Sequence, residues 1–413
     1  MNILSRNFRT NSGAVAFFTS IIVWGIGIGC FSASLNNYLV DIHSVDEFQR
    51  GWMEFFREMP GLLLVVFLAI LHRVSDWRIL RIGTFCSMIA VLGLLIPSNL
   101  YMVTFLITFW SLGDHLVMPI RSSIAVSIAK PEHEGVSLGF VTATMNAGTI
   151  VGSILVAIVF GIGLTVFHCE NNEQLYNVVW ILVFFLLLIS IFTTFTKNAP
   201  NKSSNRPRLY VHRKFSRFYV LELFYGARKQ IFLTFGPFVL IVIYGLSTMQ
   251  IAVLLAIGAF LNMITSPIVG RLTDRLGYRT IMICDTLILF WVCLIYGYAN
   301  RIFSMNVAIW VVCINFLLDH IISTAALASN LYAKDISSNG DEFTSTLTTG
   351  ISVNHLISIL SAPLGGWIWQ TWGVGMLFTF AAIMALCNSL FAYFIPQKTD
   401  ASRFFPKKNC EKS

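Results

Sequence analysis

Charged side chains are scarce in this sequence: aspartate, glutamate, lysine and arginine together make up 12% of its 413 residues. That is about half the share found in soluble domains, too little to clothe the surface of a water-soluble chain this long. The eight cysteines are scattered, with no CxxC or other metal-ligand spacing, so neither a zinc centre nor a disulfide framework is expected. A GxxxxGK[ST] phosphate loop is missing, as is any Ser/His/Asp or metal-ligating constellation. ATP-driven work, hydrolytic chemistry, and a resident metal or cofactor are therefore not expected. A cleavable leader is not expected either, because the first apolar run, 13–39, is too long for a signal core and reads as a span.

Apolar residues are what the chain has instead, at 56%. A helix needs roughly 20 of them in succession to cross the hydrocarbon core. Runs at 13–39, 51–71, 79–97, 101–128, 136–163 and 175–196 meet this. After a polar stretch come 219–245, 247–269, 280–299, 305–332, 345–368 and 374–395. The expected fold is all-α and integral to the membrane, with twelve transmembrane helices in two six-helix bundles. The expected units are 1–196, a linker at 197–218, a second bundle at 219–396 and a tail at 397–413. Most of the 28 lysines and arginines fall on one side of these spans, including Arg6, Arg73, Lys130, Arg206, Arg271 and Lys407, while Arg50 and Arg301 stand on the other. By the positive-inside rule both termini and the linker are cytoplasmic. The net charge of +8 is then an inside bias, and a nucleic-acid partner is not expected.

The two halves repeat each other. Arg73-Val74-Ser75-Asp76 followed by Arg81 answers to Arg271-Leu272-Thr273-Asp274 followed by Arg279. Asp114-His115 in the fourth span answers to Asp319-His320 in the tenth, and Asn146 to Asn354. Duplicated bundles with a site between them are a transporter architecture.

Gly270-Arg271-Leu272-Thr273-Asp274-Arg275-Leu276-Gly277-Tyr278-Arg279 fits the G-x-x-x-D-R-x-G-x-R loop, and on this segment the chain resembles the major facilitator superfamily. The earlier copy is degraded, with His72 and Ile79 where the loop has glycines. The fifth span carries Gly139, Gly148 and Gly152 of the antiporter signature, but Ser153 replaces its proline. The resemblance implies that the first, fourth, seventh and tenth helices line a central cavity. It also implies that Asp76, Arg81, Gly270, Arg271, Asp274, Arg275, Gly277 and Arg279 latch the halves in one conformation.

Ionisable groups at mid-membrane are costly, so they are functional candidates by default. Asp114 and Asp319 fall near mid-span, each followed by His115 or His320 about 100° around the helix. Arg121 shares a face with Asp114, whereas the matching position in the tenth span is Ala326, so Asp319 is the expected proton carrier. Arg228, Lys229 and Gln230 lie in the seventh span and suit an anionic group. Asn36, Asn37, Asn354 and His355 either hydrogen-bond a solute or join helices. Glu54, Arg57 and Glu58 share a face of the second span, as an outer gate or as a snorkelling cluster. Phe31, Trp110 and Phe232 are expected to line the cavity, and Asp285 in the ninth span has no role beyond an inter-helix pair.

The leading expectation is a monomeric, proton-coupled secondary transporter of a small organic solute in a bacterial inner membrane. Alternatives are a drug or metabolite exporter, a transition-metal transporter suggested by the two Asp-His pairs, and a non-transporting receptor or assembly factor. An enzyme is not expected.

Overall fold

A computed structural model describes residue 8 and residues 11–96, 99–130, 133–169, 171–195, 211–338 and 340–396. The expected tail at 397–413 lies outside the described residues, and so does the expected linker as far as residue 210. The first half is built from α1 (Asn11–His43), α2 (Glu47–Leu62), α3 (Leu64–Ile70), α4 (Asp76–Leu94), α5 (Leu100–Ile128), α6 (Glu134–Thr165) and α7 (Asn172–Thr193). The second half comprises α8 (Ser216–Val242), α9 (Thr248–Leu276), α10 (Tyr278–Ile302), α11 (Met305–Ile322), α12 (Leu327–Ile336), α13 (Gly340–Trp372) and α14 (Val374–Tyr393).

These make twelve spans, because α2 with α3 forms the second and α11 with α12 the tenth. Pro60 withdraws an amide from the first of these pairs, and the helix breaks at Leu63. A short 3-10 turn, Ser323–Ala326, joins the other pair. Two spans start with the same device. Asp46 accepts from the Gln49 amide at 2.7 Å while Gln49 returns a bond to the Asp46 amide, and Ser247 with Gln250 repeats this at α9. Among the described residues, ten helical segments are long and apolar enough to cross a membrane unaided. The second span falls short because its helix is broken into α2 and α3, of 16 and 7 residues, and the seventh because α8 carries Arg228, Lys229 and Gln230.

Small residues set the close packing of the first half. A Cβ at Gly25 would stand 2.9 Å from the Met145 carbonyl, and one at Gly148 2.6 Å from the Ile22 carbonyl, so α1 and α6 touch backbone to backbone. The second half has two apolar cores, one around Phe232, Tyr296 and Phe378 and another around Phe218, Tyr278 and Ala392. A polar layer holding Arg228 and Asp285 separates them. Phe31, Trp110 and Phe232 are core residues and not cavity lining: Phe31 stacks on Trp110 at 4.0 Å, and Phe232 packs on Tyr296 and Phe378.

Among the described residues the halves meet at one end only. At the end bearing the α1–α2 turn, Asn37 donates to the Leu246 carbonyl and Tyr176 bonds Thr248 at 2.8 Å. There too a Cβ at Gly51 would come within 2.5 Å of the Ala362 carbonyl. Toward the other end the contact is lost. Beyond Gly258, α9 buries only Thr273, α3 buries nothing, and Gly139 and Gly270 face open space. The molecule is closed at one end, with a cleft opening where α1 begins and α14 stops.

Candidate functional site

On α2 the helical period places Arg50, Glu54, Arg57 and Glu58 on one face. That face is pressed against α5, α8 and α13 at the floor of the cleft. Glu54 is fully buried and takes hydrogen bonds from Arg50 Nη1 at 2.9 Å, Arg57 Nε at 2.7 Å and Nη2 at 2.5 Å, and Gln230 Nε2 at 2.6 Å. Glu58 accepts from Arg57 at 2.6 Å through one oxygen and pairs with His355 Nδ1 at 2.9 Å through the other. Gln230 and His355 belong to the second half, so the network crosses between halves. Arg50 also donates to Asn36 on α1 at 3.0 Å.

Arg50 is therefore a buried member of this network, 4% exposed, and not the solvent-facing cation its position before the second span suggests. Ser111 on α5 donates to the Arg57 carbonyl at 2.5 Å, and the His115 ring lies 5.0 Å from that of His355. Removing one partner from such a buried set costs about 3–5 kcal/mol, because it strands a charge away from water.

The structure thus gathers Asn36, His115, Gln230 and His355 into one place, and it places the other candidates elsewhere. Asp114 is half-buried near Arg57, and among the described residues it makes no ion pair within 4.0 Å with Arg121. Arg228 turns into the second half, where it pairs with Asp285 at 3.7 Å and lies over the Tyr225 ring. This gives Asp285 its inter-helix partner. The Arg228 charge is felt by Asp319 as well, but among the described residues Asp319 forms no ion pair within 4.0 Å. Beside them is a cavity of about 20 Å³ lined by Tyr225, Asp285, Ser329 and Asn388, large enough for one water. His320 diverges from Asp319 as adjacent helical residues must, and packs on Gly258 of α9. Lys229 is exposed.

Glu222 escaped the sequence reading although it falls inside the expected seventh span, which is itself the signal. Its carboxylate accepts from Ser329 Oγ at 2.6 Å and from Asn354 Nδ2 at 3.4 Å, both neutral partners. It bridges α8, α12 and α13.

The expected latch residues lie at the open end. Asp76 is buried at the start of α4 and accepts from Ser123 at 2.5 Å, while Arg81 sits over the Phe195 ring at 4.4 Å. Arg271, Asp274 and Arg275 are exposed around the end of α9, with Gly270 one turn before it. Gly277 has φ +81°, which favours glycine and turns α9 into α10. Arg279 lies 4.8 Å above the Tyr393 ring.

Comparison with known proteins gives the fold a family. The family model described as Major Facilitator Superfamily matches residues 14–339. A search of curated proteins by sequence finds no match. Among solved structures, a mutant of the nucleoside transporter NupG superposes with TM-score 0.71 at 12% identity, covering 92% of this chain and 98% of the other. A bacterial homologue of the human lysosomal transporter Spinster, in an inward-facing and occupied conformation, gives 0.67 at 14%, with 95% and 96% covered. A POT family transporter bound to a thioalcohol-conjugated peptide gives 0.70 at 10%, with 92% and 95% covered.

Proposed function

The chain belongs to the Major Facilitator Superfamily, and from that premise we propose that it couples proton movement to transport of a small organic solute bearing an anionic group. Transport itself comes with the family. Alternating access follows from a molecule shut at one end and open at the other. We place the open end, the termini and the linker on the cytoplasmic side of a bacterial inner membrane, since lysine and arginine crowd that side.

The observation that supports proton coupling is the charge balance around Arg228. Asp285 takes the guanidinium at 3.7 Å, and Asp319 stands within its field without an ion pair. A carboxylate in that position can gain or lose a proton without breaking a salt bridge. Any shift of α8 against α11 between access states then alters how strongly Asp319 holds its proton. Glu222, held by neutral groups, is a second carboxylate of this kind. Lys229, an exposed cation inside the seventh span, supports an anionic group on the solute.

Asp319→Asn in proteoliposomes tests the reading. It should abolish accumulation driven by a proton gradient and spare exchange of solute across the membrane. Continued uphill accumulation by this variant would sink the assignment.

A further inference from the structure

We propose that Glu58, His115 and His355 form a binding site for a divalent transition-metal ion of the zinc class, and that the bound ion clamps the closed end shut. The proposal is independent of the solute and of proton coupling.

One donor atom from each of the three side chains lies within 4.8 Å of the other two. They come from α2, α5 and α13, so a single ion would touch both halves. The imidazole of His115 is already aimed. Its Nδ1 lies 2.8 Å from the Ser111 carbonyl, which holds the proton on that nitrogen and leaves the Nε2 lone pair free. Metal-binding imidazoles are oriented in this way through their far nitrogen. Gly61 supplies the space: a Cβ there would stand 2.7 Å from both His115 Nε2 and His355 Nδ1, where the two nitrogens converge. His355 Nδ1 and Glu58 share a hydrogen bond at 2.9 Å, and an ion between them would displace that proton.

Repulsion by Arg57 is the main obstacle, and the surroundings offset it. Its guanidinium is engaged by Glu54 and by the other oxygen of Glu58, and it also feels Asp114. Locally Arg50 and Arg57 face Glu54, Glu58 and Asp114, with Arg121 in the field of Asp114 as well, so the fixed charges balance and the guanidinium nearest the ion is already paired. Two imidazole nitrogens and one carboxylate oxygen suit zinc, at about 2.0–2.2 Å from each, with a fourth position for water. Calcium and magnesium prefer oxygen alone. Tetrahedral geometry sets donors about 3.4 Å apart. His355 Nδ1 and Glu58 already stand 2.9 Å apart, so any closing falls to His115 on α5, and the ion would tie α13 to α2 and α5 at the closed end. Of the two Asp-His pairs noted in the sequence only His115 belongs to this site, because His320 lies against α9.

Zinc titrated into the purified full chain should bind at one ion per chain. Affinity should fall about 30-fold or more in His115→Ala and in His355→Ala. Spin labels at Phe167 and Met305, exposed outer positions on opposite halves, should report a single short distance with zinc and a broader distribution in His355→Ala. Thermal melting without metal separates lost folding from lost binding. If His355→Ala does not fold, His355→Gln retains the hydrogen bond to Glu58 and takes its place. Equal zinc affinity in the parent and both variants, or binding that leaves the label distance unchanged, overturns the proposal. Neither result depends on transport, so failure of the Asp319 test would leave this one standing.

Discussion

Replacing Gln230 with alanine removes one hydrogen bond from the seam between the halves and little else. Gln230 Nε2 donates to Glu54 Oε1 at 2.6 Å and to Thr234 Oγ1 at 2.9 Å. After the change Glu54 Oε1 keeps Arg57 Nη2 at 2.5 Å, so no carboxylate oxygen is stranded. A hydrogen bond to a charged group contributes about 1.5–3 kcal/mol. This one exists only while the end is closed, because in the opposite state Gln230 and Glu54 separate and each meets water. The equilibrium should therefore move about 10- to 150-fold toward opening of that end. A cysteine at Leu246, 6% exposed beneath the α8–α9 turn, reads this directly. Its alkylation by an impermeant reagent, followed by mass spectrometry at that residue, tracks the open fraction. A rate change under about threefold would refute the reasoning.

Gly152→Ala should cost most of the folded protein, because its Cβ would meet the Ile26 carbonyl of α1, whereas Gly139→Ala, with open space around it, should change yield and melting little. Detergent-solubilised melting curves of the two variants decide this, and equal losses would contradict the packing argument. Asp274→Asn should raise labelling of a cysteine at Gly139 about tenfold, with reagent on the side that carries the linker, because the exposed Asp274 loses a charge-assisted contact formed only when that end closes. Unchanged labelling with lost transport would rule the latch out.

The twelve spans were legible because each is a long apolar run or an apolar run interrupted by charge. The breaks at Leu63 and at Ser323–Ala326 were not, since both lie inside apolar stretches. The charges of α2 were visible, but their importance depends on which helices face them. One sequence carries no record that Gln230 and His355, far along the chain, close over Glu54 and Glu58. Arg121 shares a helical face with Asp114, and two turns of helix hold such groups roughly 10 Å apart, so Arg121 feels Asp114 through its field. Aromatics misled for a different reason. Phe31 and Trp110 lie on helix faces that look toward the middle of the molecule but are filled by each other.

The charges of α2 also bear on how the chain is made. Each charged residue at mid-membrane costs about 2.5–3.5 kcal/mol on insertion scales, and the second span carries Glu54, Arg57 and Glu58. It emerges from the ribosome long before α8 and α13 supply Gln230 and His355. Arg50, Glu54, Arg57 and Glu58 can neutralise one another at once, but the second oxygen of Glu58 waits for its histidine until residue 355 has been synthesised. The second span is therefore a guest in the bilayer until the eleventh arrives. A chain that stops early leaves Glu58 with Arg57 alone and its second carboxylate oxygen unpaired. The contact that shuts the finished molecule at one end thus forms only late in its synthesis.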